Sequence, residues 1–561
     1  MNQYERYLSN RFSVPSVFLL AGQLADELRS RFRISDVNAR KVVQRAALKR
    51  IMNSSSPLTF GKGQFLYYGG GGTLDRFRIM SAAKLSRPPL YRLLSVMEMQ
   101  GGIISHFEAM KVASCPVIQG KTKASSLSEV IDPLVELDVI SEFRDTKSGL
   151  HWVFADMEKE AVSLSLKHRI QTSIDCAFLA DVLYWLRNRN LVDGRTPVYR
   201  RKSVPWELIV HNDLVWDAFA YTRTTGIDVM RPGRGHTTAK ATLVAIDTAV
   251  GRPYSEKDLE GFYERIQMIR HSTHEKPRKV MPIVVYATAE PRVMSRTASL
   301  GIMNLDLATV FGARIYEIIQ KLELLKSEEF SRSDSSETLV AHIGHILSVT
   351  KEAGQDTNLQ NMRGDLFESL MFPLIRHVYP NGDIQPKKVL RDGAEKYEYD
   401  YIVSSSGHRE NVVFELKGFR SSSMIKLGTS DKRNTVSWFF GRTLPFARKV
   451  LDRTGAGYSL KACYVTTAGF EPDAVKALDA QNRGKLKPAD LDVWYDGPHL
   501  MKLLRAKGLT HVAKVVKRYY MSKERQLPFS TSTAPAKTAI KPVRNDDGRE
   551  NAPNRGDGQA D

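Results

Sequence analysis

Cysteine is scarce in this chain. Its three thiols, Cys115, Cys176 and Cys463, lie far apart and form no Cys-x-x-Cys pair. That spacing argues against a disulfide framework and against a zinc finger. Long apolar runs are absent too: none approaches the roughly 18 residues that a membrane-spanning helix requires. The opening MNQYERYLSN lacks the apolar stretch of a secretory leader. No lipidation signal or long cationic amphipathic helix offers a membrane anchor. Acidic residues fall short as well, with 62 Asp and Glu against 82 Lys and Arg, a formal net charge of +20. Together these absences predict a cytoplasmic protein without a membrane partner. The excess of cations favours a polyanion, because neutralising phosphates releases counterions. What remains is ordinary globular composition, 42% hydrophobic, which suffices for sizeable cores. At about 150 residues per domain the length leaves room for three or four.

Residues 1–160 read as helical with small hairpins. Ser35 is placed to cap a helix with apolar positions at Val37, Val42, Val43, Ala46 and Leu48. Helices are expected over Leu90 to Met99, Ile103 to Val112 and Ser126 to Leu137. The stretch VISEFRDTKSGLHWVFA then reads as two strands about a polar turn. Helix, turn, helix and hairpin is the element order of a winged helix; a small helical interaction domain fits the same pattern. Residues 165–325 turn to α/β texture, with strand candidates LVWDAFAYT, TLVAIDTAV and MPIVVYAT and helices over Glu256 to Ile269 and Ala308 to Leu325. The polar, serine-rich stretch 327–338 reads as a linker or exposed loop. A second α/β segment spans 340–520. The tail 523–561, poor in apolar residues, is expected to be disordered.

The second α/β segment carries the chemistry. GDLFESLMFPLI reads as a helix with Phe367, Leu370, Met371 and Leu374 on one face and Glu368 beside it. KYEYDYIVSS reads as a strand bearing Asp400. NVVFELKGF reads as a strand on which Glu415 and Lys417, two apart, share a face. Carboxylates from adjacent strands suit a hard divalent cation, with the Leu416 carbonyl as a third ligand. A nearby lysine can orient a water or offset charge growing on a phosphorane.

Helix-Glu, then Asp, then Glu-x-Lys resembles the PD-(D/E)XK nuclease superfamily, the restriction-endonuclease-like fold, and its Mrr-like branch above all. The resemblance covers about 150 residues, and here Asp400 has no preceding proline. It implies a catalytic set of Asp400, Glu415, Lys417 and Glu368, with Mg²⁺ or Mn²⁺ on Asp400, Glu415 and Leu416. It further implies a DNA endonuclease of restriction or phage defence, with room for a homodimer or for partner proteins of a defence system. RNA stays open beside DNA. Two alternatives stay beside this reading: a non-catalytic DNA-binding scaffold with nuclease-like folds, and a repair or recombination nuclease.

The first α/β segment looks like a degenerate copy, structural or DNA-positioning and not catalytic; an unrelated α/β domain with a buried Asp fits the same residues. Asp217 and Asp247 sit where Asp400 and Glu415 would, but Ala249 stands in the lysine position. The expected architecture is therefore multidomain α/β: a winged-helix-like region (1–160), a degenerate nuclease-like domain (165–325), a nuclease domain (340–520) and the tail. Basic residues just after the Glu-x-Lys strand are expected to meet phosphates: Arg420, Lys426, Lys432 and Arg433, then Arg448 and Lys449.

Overall fold

The computed structural model describes residues 1–521, apart from 70–73, 119–124, 146–148, 194–196, 202–205, 224–240, 271–278, 332–335, 356–358, 394, 420 and 454–456. The expectations for the tail and for Arg420 fall outside the described residues. The chain is mixed α/β, as its texture predicts.

Three helices, Gln3–Arg11, Ala21–Phe32 and Asp36–Leu48, open the chain around a small core containing Leu8, Leu24, Leu28 and Val43. Ser35 caps the third, its hydroxyl accepting from the Asn38 amide at 3.3 Å. Val43 and Ala46 face inward as predicted, but Val37 and Leu48 point to solvent. Next come α1 (Pro88–Met99), β1 (Ile103–Ser105), α2 (His106–Ala113), α3 (Leu127–Glu136), β2 (Ile140–Asp145) and β3 (Gly149–Phe154). The strands form an antiparallel sheet in the order β1-β3-β2.

The single helix expected over Ile103 to Val112 is thus a strand followed by a helix. Ile103 and Ile104 are β-branched and pair with β3. Ser105 then stops the strand by capping α2 through the Glu108 amide at 3.3 Å. The solvent side of α3 presents Glu129, Asp132 and Glu136.

Two five-stranded sheets follow, and they share one plan. The first comprises β4 (Val198–Tyr199), β5 (Ala218–Thr222), β6 (Thr242–Ala249), β7 (Val280–Tyr286) and β8 (Met303–Asp306). The second comprises β9 (Asp383–Asp392), β10 (Glu395–Ser405), β11 (Glu410–Lys417), β12 (Ser459–Thr466) and β13 (Trp494–Tyr495). In each, the first three strands pair antiparallel in chain order and the last two add in parallel. Helices α4 (Ala161–Ala177) and α5 (Leu179–Asn188) precede the first sheet, and α6 (Glu256–Arg270) joins β6 to β7.

The expected helix over Ala308 to Leu325 is divided. Leu307–Phe311 ends at Gly312, whose φ of 85° suits glycine, and α7 (Ile315–Ser331) begins afresh. The stretch 327–338 does not form the predicted loop in its described part. Ser327 to Ser331 complete α7, and Ser336 opens α8 (Ser336–Glu352). Apolar residues on either side of the polar run carry the helices onward: Leu322 and Leu325 before it, Leu339, Val340 and Ile343 after it. These side chains join a core shared by both sheets, which also holds Ile246, Val285, Phe367 and Phe414. Helix α9 (Gln360–Val378) crosses this core on its way to the second sheet.

Buried charges fasten the N-terminal region to the first sheet. The Lys111 Nζ on α2 lies 2.6 Å from Asp217 Oδ2 and 3.5 Å from Asp247 Oδ1, and donates to the Thr248 carbonyl at 2.8 Å. Arg200 pairs with Asp217, and Arg265 Nη2 donates to Asp247 Oδ1 at 2.6 Å. Burial acts downward on the Lys111 ammonium, but Asp217 and Asp247 more than offset that and hold it above the ordinary lysine range. Removing one member of a buried ionic set leaves the others uncompensated. Lys111→Ala should therefore lower unfolding stability by about 3–5 kcal/mol. Urea denaturation checks this; a loss below about 1 kcal/mol would show that the lysine carries little of the joint.

Candidate active site

The period-two geometry of a strand brings the predicted residues together. β10 and β11 run antiparallel, with Tyr401 opposite Phe414, so Asp400 stands one step beyond the pair beside Glu415. Glu415 and Lys417 share a face of β11. Phe414 and Leu416 alternate with them and sink into the shared core. The Leu416 amide donates to Asp400 Oδ2 at 2.6 Å, which ties the carboxylate to the neighbouring strand. The Lys417 ammonium lies 2.7 Å from Glu415 Oε1 and 3.7 Å from Asp400 Oδ2. Asp400 and Lys417 are each 17% exposed and Glu415 16%, so all three are sheltered yet reachable.

Glu368 reaches this site from α9, as expected. Its backbone carbonyl accepts from the Tyr401 hydroxyl at 3.2 Å, and its side chain meets Lys387 Nζ at 3.4 Å. Lys387 was not legible in the sequence. It lies on β9 across from Asp400, where the pairing passes from Pro386–Tyr401 to Lys388–Tyr399 without it. Its φ of 50° is left-handed, an unfavourable conformation for lysine that surrounding structure must hold.

Burial pushes the Asp400 carboxyl well above its ordinary range, and the charges of Glu368 and Glu415 push the same way. Lys417 and the Leu416 amide oppose them. For Lys417 burial acts downward, but Asp400 and Glu415 outweigh it and hold the ammonium charged. The site is thus crowded with carboxylates and short of positive charge. Among the described residues no group of three or more His, Cys, Asp or Glu side chains is arranged to hold a metal ion. A cation here would rest on two carboxylates, Asp400 and Glu415, completed by backbone oxygen and water. That donor set of hard oxygens fits Mg²⁺ or Mn²⁺, and the Lys417 contacts show that both carboxylates reach a common point.

A cleft of about 770 Å³ opens in front of Glu368, Glu415 and Lys417. Its other wall comes from the first α/β segment, through Tyr184, Tyr199 and Arg201, and α9 adds Arg363. No signal near the Glu-x-Lys strand announced those residues, since they precede it by more than fifty positions. Of the expected phosphate-contacting residues, Arg433 lines the cleft. It sits 5.8 Å over the Trp438 ring. The other described ones stand elsewhere. Lys426 pairs with Glu471 at 3.5 Å, Lys432 and Arg448 are exposed away from the lining, and Lys449 meets Asp392 at 2.6 Å. Sequence proximity placed them near the strand; the turn after β11 carries them off the face that Glu415 and Lys417 share.

The first sheet holds the same joint in a sealed form. The Thr248 amide donates to Asp217 Oδ2 at 2.8 Å, as Leu416 does to Asp400. Asp247 takes the place of Glu415, and Ala249 that of Lys417. The ammonium missing from the strand is replaced by Lys111 of α2, which the sequence pattern did not foresee. Asp217 and Asp247 are fully buried, and the Tyr254 hydroxyl donates to Asp247 Oδ2 at 2.7 Å. Lys111, Arg200 and Arg265 already occupy them, so they present no open carboxylate pair.

No protein-family model and no curated protein matches the chain. Among solved structures, Can2 from Sulfobacillus thermosulfidooxidans in complex with cyclic tetra-adenylate is similar at 12% identity and a TM-score of 0.20. The match covers 44% of this chain and 93% of that one. A likeness at that score carries no argument about fold or function.

A raised carboxyl pKa has a thermodynamic sign. The protonated form is the one the fold prefers, so its stabilisation is complete below the unfolded value near 3.9 and is lost as pH rises through the folded value. Asp400→Asn should therefore raise the melting temperature of the metal-free protein at pH 8 by a few degrees and change it little at pH 4. Calorimetry at the two pH values decides; an equal shift at both would contradict the strained carboxylate.

Proposed function

We propose that this chain is a metal-dependent DNA nuclease that hydrolyses phosphodiester bonds, with Asp400, Glu415 and Lys417 at its reaction centre. The observation that carries the reading is the meeting of these three side chains, with Asp400 tied to the Leu416 amide and with Glu415 and Lys417 lining a solvent-reachable cleft. A bound Mg²⁺ or Mn²⁺, held by Asp400, Glu415 and the Leu416 carbonyl, would polarise a phosphate and acidify a water. Lys417 keeps its proton between two carboxylates, so its role is to offset charge on the phosphorane and not to act as a base. Glu368, paired with Lys387, stands at the edge and trims the position of the other groups.

The remaining regions support roles around that reaction. The order of α1 to β3 and the sheet β1-β3-β2 favour a winged helix in the N-terminal region. The acidic outer side of α3 disfavours phosphate contact there and suits a protein partner or a positioning role. The sealed Asp217–Asp247 pair supports a non-catalytic first domain. A part in cytoplasmic restriction or phage defence rests on the superfamily resemblance alone and is an argument by association.

Purified protein assayed on DNA with Mg²⁺ and with EDTA tests the proposal. Asp400→Ala, Glu415→Ala and Lys417→Ala should each abolish cleavage while the fold survives, and the two carboxylate changes should also weaken cation binding. A folded Lys417→Ala enzyme cutting at the wild-type rate would refute the assignment. Asp247→Ala, which strips a counter-charge from Lys111 and Arg265 and lowers stability, should leave the rate of cleavage by the folded protein unchanged at saturating DNA. DNA affinity should fall steeply with salt, about 10³-fold between 50 and 200 mM if some six phosphates are contacted. A flat salt dependence would mean that the net charge serves another purpose.

A further inference from the structure

The shape of the cleft narrows what can reach its carboxylates. Strand β10 carries Glu398 two residues before Asp400, about 7 Å along the strand at its usual rise. There Arg201 Nη1 of the first segment donates to Glu398 Oε2 at 3.0 Å. A second tie lies close by: Glu207 pairs with Lys396 and meets Arg391 Nη2 at 3.3 Å. The first α/β segment is therefore clasped to the β9–β10 hairpin beside the site, and the approach to Asp400 is walled on that side.

The lining is of a different kind from a phosphate-only track. Tyr184 is 37% exposed on the first-segment wall, and Tyr397, Phe419 and Trp438 line the opposite side. Arg201, Arg363 and Arg433 stand among these rings. Aromatic faces interleaved with cations in a confined groove recognise unpaired bases, which stack on the rings while the backbone follows the charge. Paired bases inside a duplex offer no such faces.

We infer that the strand entering this cleft is single-stranded DNA, its bases stacking on Tyr184 and Trp438 while its backbone passes Asp400 and Glu415. This rests on reading the cleft as the nucleic-acid site of the proposed nuclease, and it names the form of DNA that the site takes.

Fluorescence anisotropy tests it with a labelled 12-nucleotide single strand and with the duplex of the same sequence, in Ca²⁺ at about 100 mM salt. The single strand should bind at least tenfold more tightly. Tyr184→Ala and Trp438→Ala should each weaken it by about tenfold, the range for loss of one stacking ring, leave duplex binding unchanged and keep the melting temperature. Duplex binding as tight as the single strand's would overturn the inference. So would a preference that survives in both folded variants. Cleavage of the same two probes in Mg²⁺ separates this inference from the reading beneath it. Cutting of the duplex alone would refute the single-strand assignment and keep the nuclease. Tight single-strand binding with no cutting of either probe would refute the nuclease and keep the single-strand site.

Discussion

An aspartate on one strand accepting from the backbone amide of the next is the joint on which both sheets turn. Asp217 does so with Thr248, and Asp400 with Leu416. The bond sets a carboxylate beside the acidic residue of the neighbouring strand, Asp247 or Glu415, and so concentrates negative charge at one point of the sheet. Such a point is costly to bury unless positive charge meets it. In the first sheet Lys111, Arg200 and Arg265 supply that charge from three separate elements, and the point closes. In the second, Lys417 from the same strand answers it only in part, and the point stays open to the cleft.

The same joint explains what could be read from residues alone. Alternation along β11 announced Glu415 and Lys417 as one face, and the apolar VVF before them announced a buried strand. Helix α9 was legible from its three-and-four spacing, with Glu368 beside the apolar stripe. Less legible was anything supplied from a distance. Lys111 lies 106 residues from Asp217, and a lysine on a short helix bears no mark of its distant partner. Tyr184, Tyr199 and Arg201 reach the second site through the packing of two sheets, which no local period encodes. Composition misled in the described part of 327–338, where Ser327 to Ser331 and the residues from Ser336 continue helices held by leucines on either side. Ile103 and Ile104 misled in the opposite sense: they fit an apolar helical spacing, yet pairing with β3 claimed them.

Strand β4 and the arginines around it show how closely the two sheets are interlocked. Arg200 and Arg201 are consecutive and serve opposite sides: Arg200 turns inward to Asp217, Arg201 outward to Glu398. One stretch of backbone therefore braces the sealed joint and walls the open one. The shared apolar core behind them makes the pair of sheets a single mechanical body, so the geometry in front of Asp400 is inherited from packing that begins far from it.

The lysine on α2 also determines where this protein can be divided. Composition and element order suggest a seam near residue 160, between a helical module and an α/β one. Yet the charge that completes the first sheet sits on the far side of that seam, at position 111. A fragment cut there would leave Asp217 and Asp247 facing two arginines without the ammonium, and would leave Lys111 of α2 without either carboxylate. The unit that evolution can shuffle, duplicate or discard is therefore not the module drawn by secondary structure. It is the larger body that keeps Lys111 together with Asp217 and Asp247.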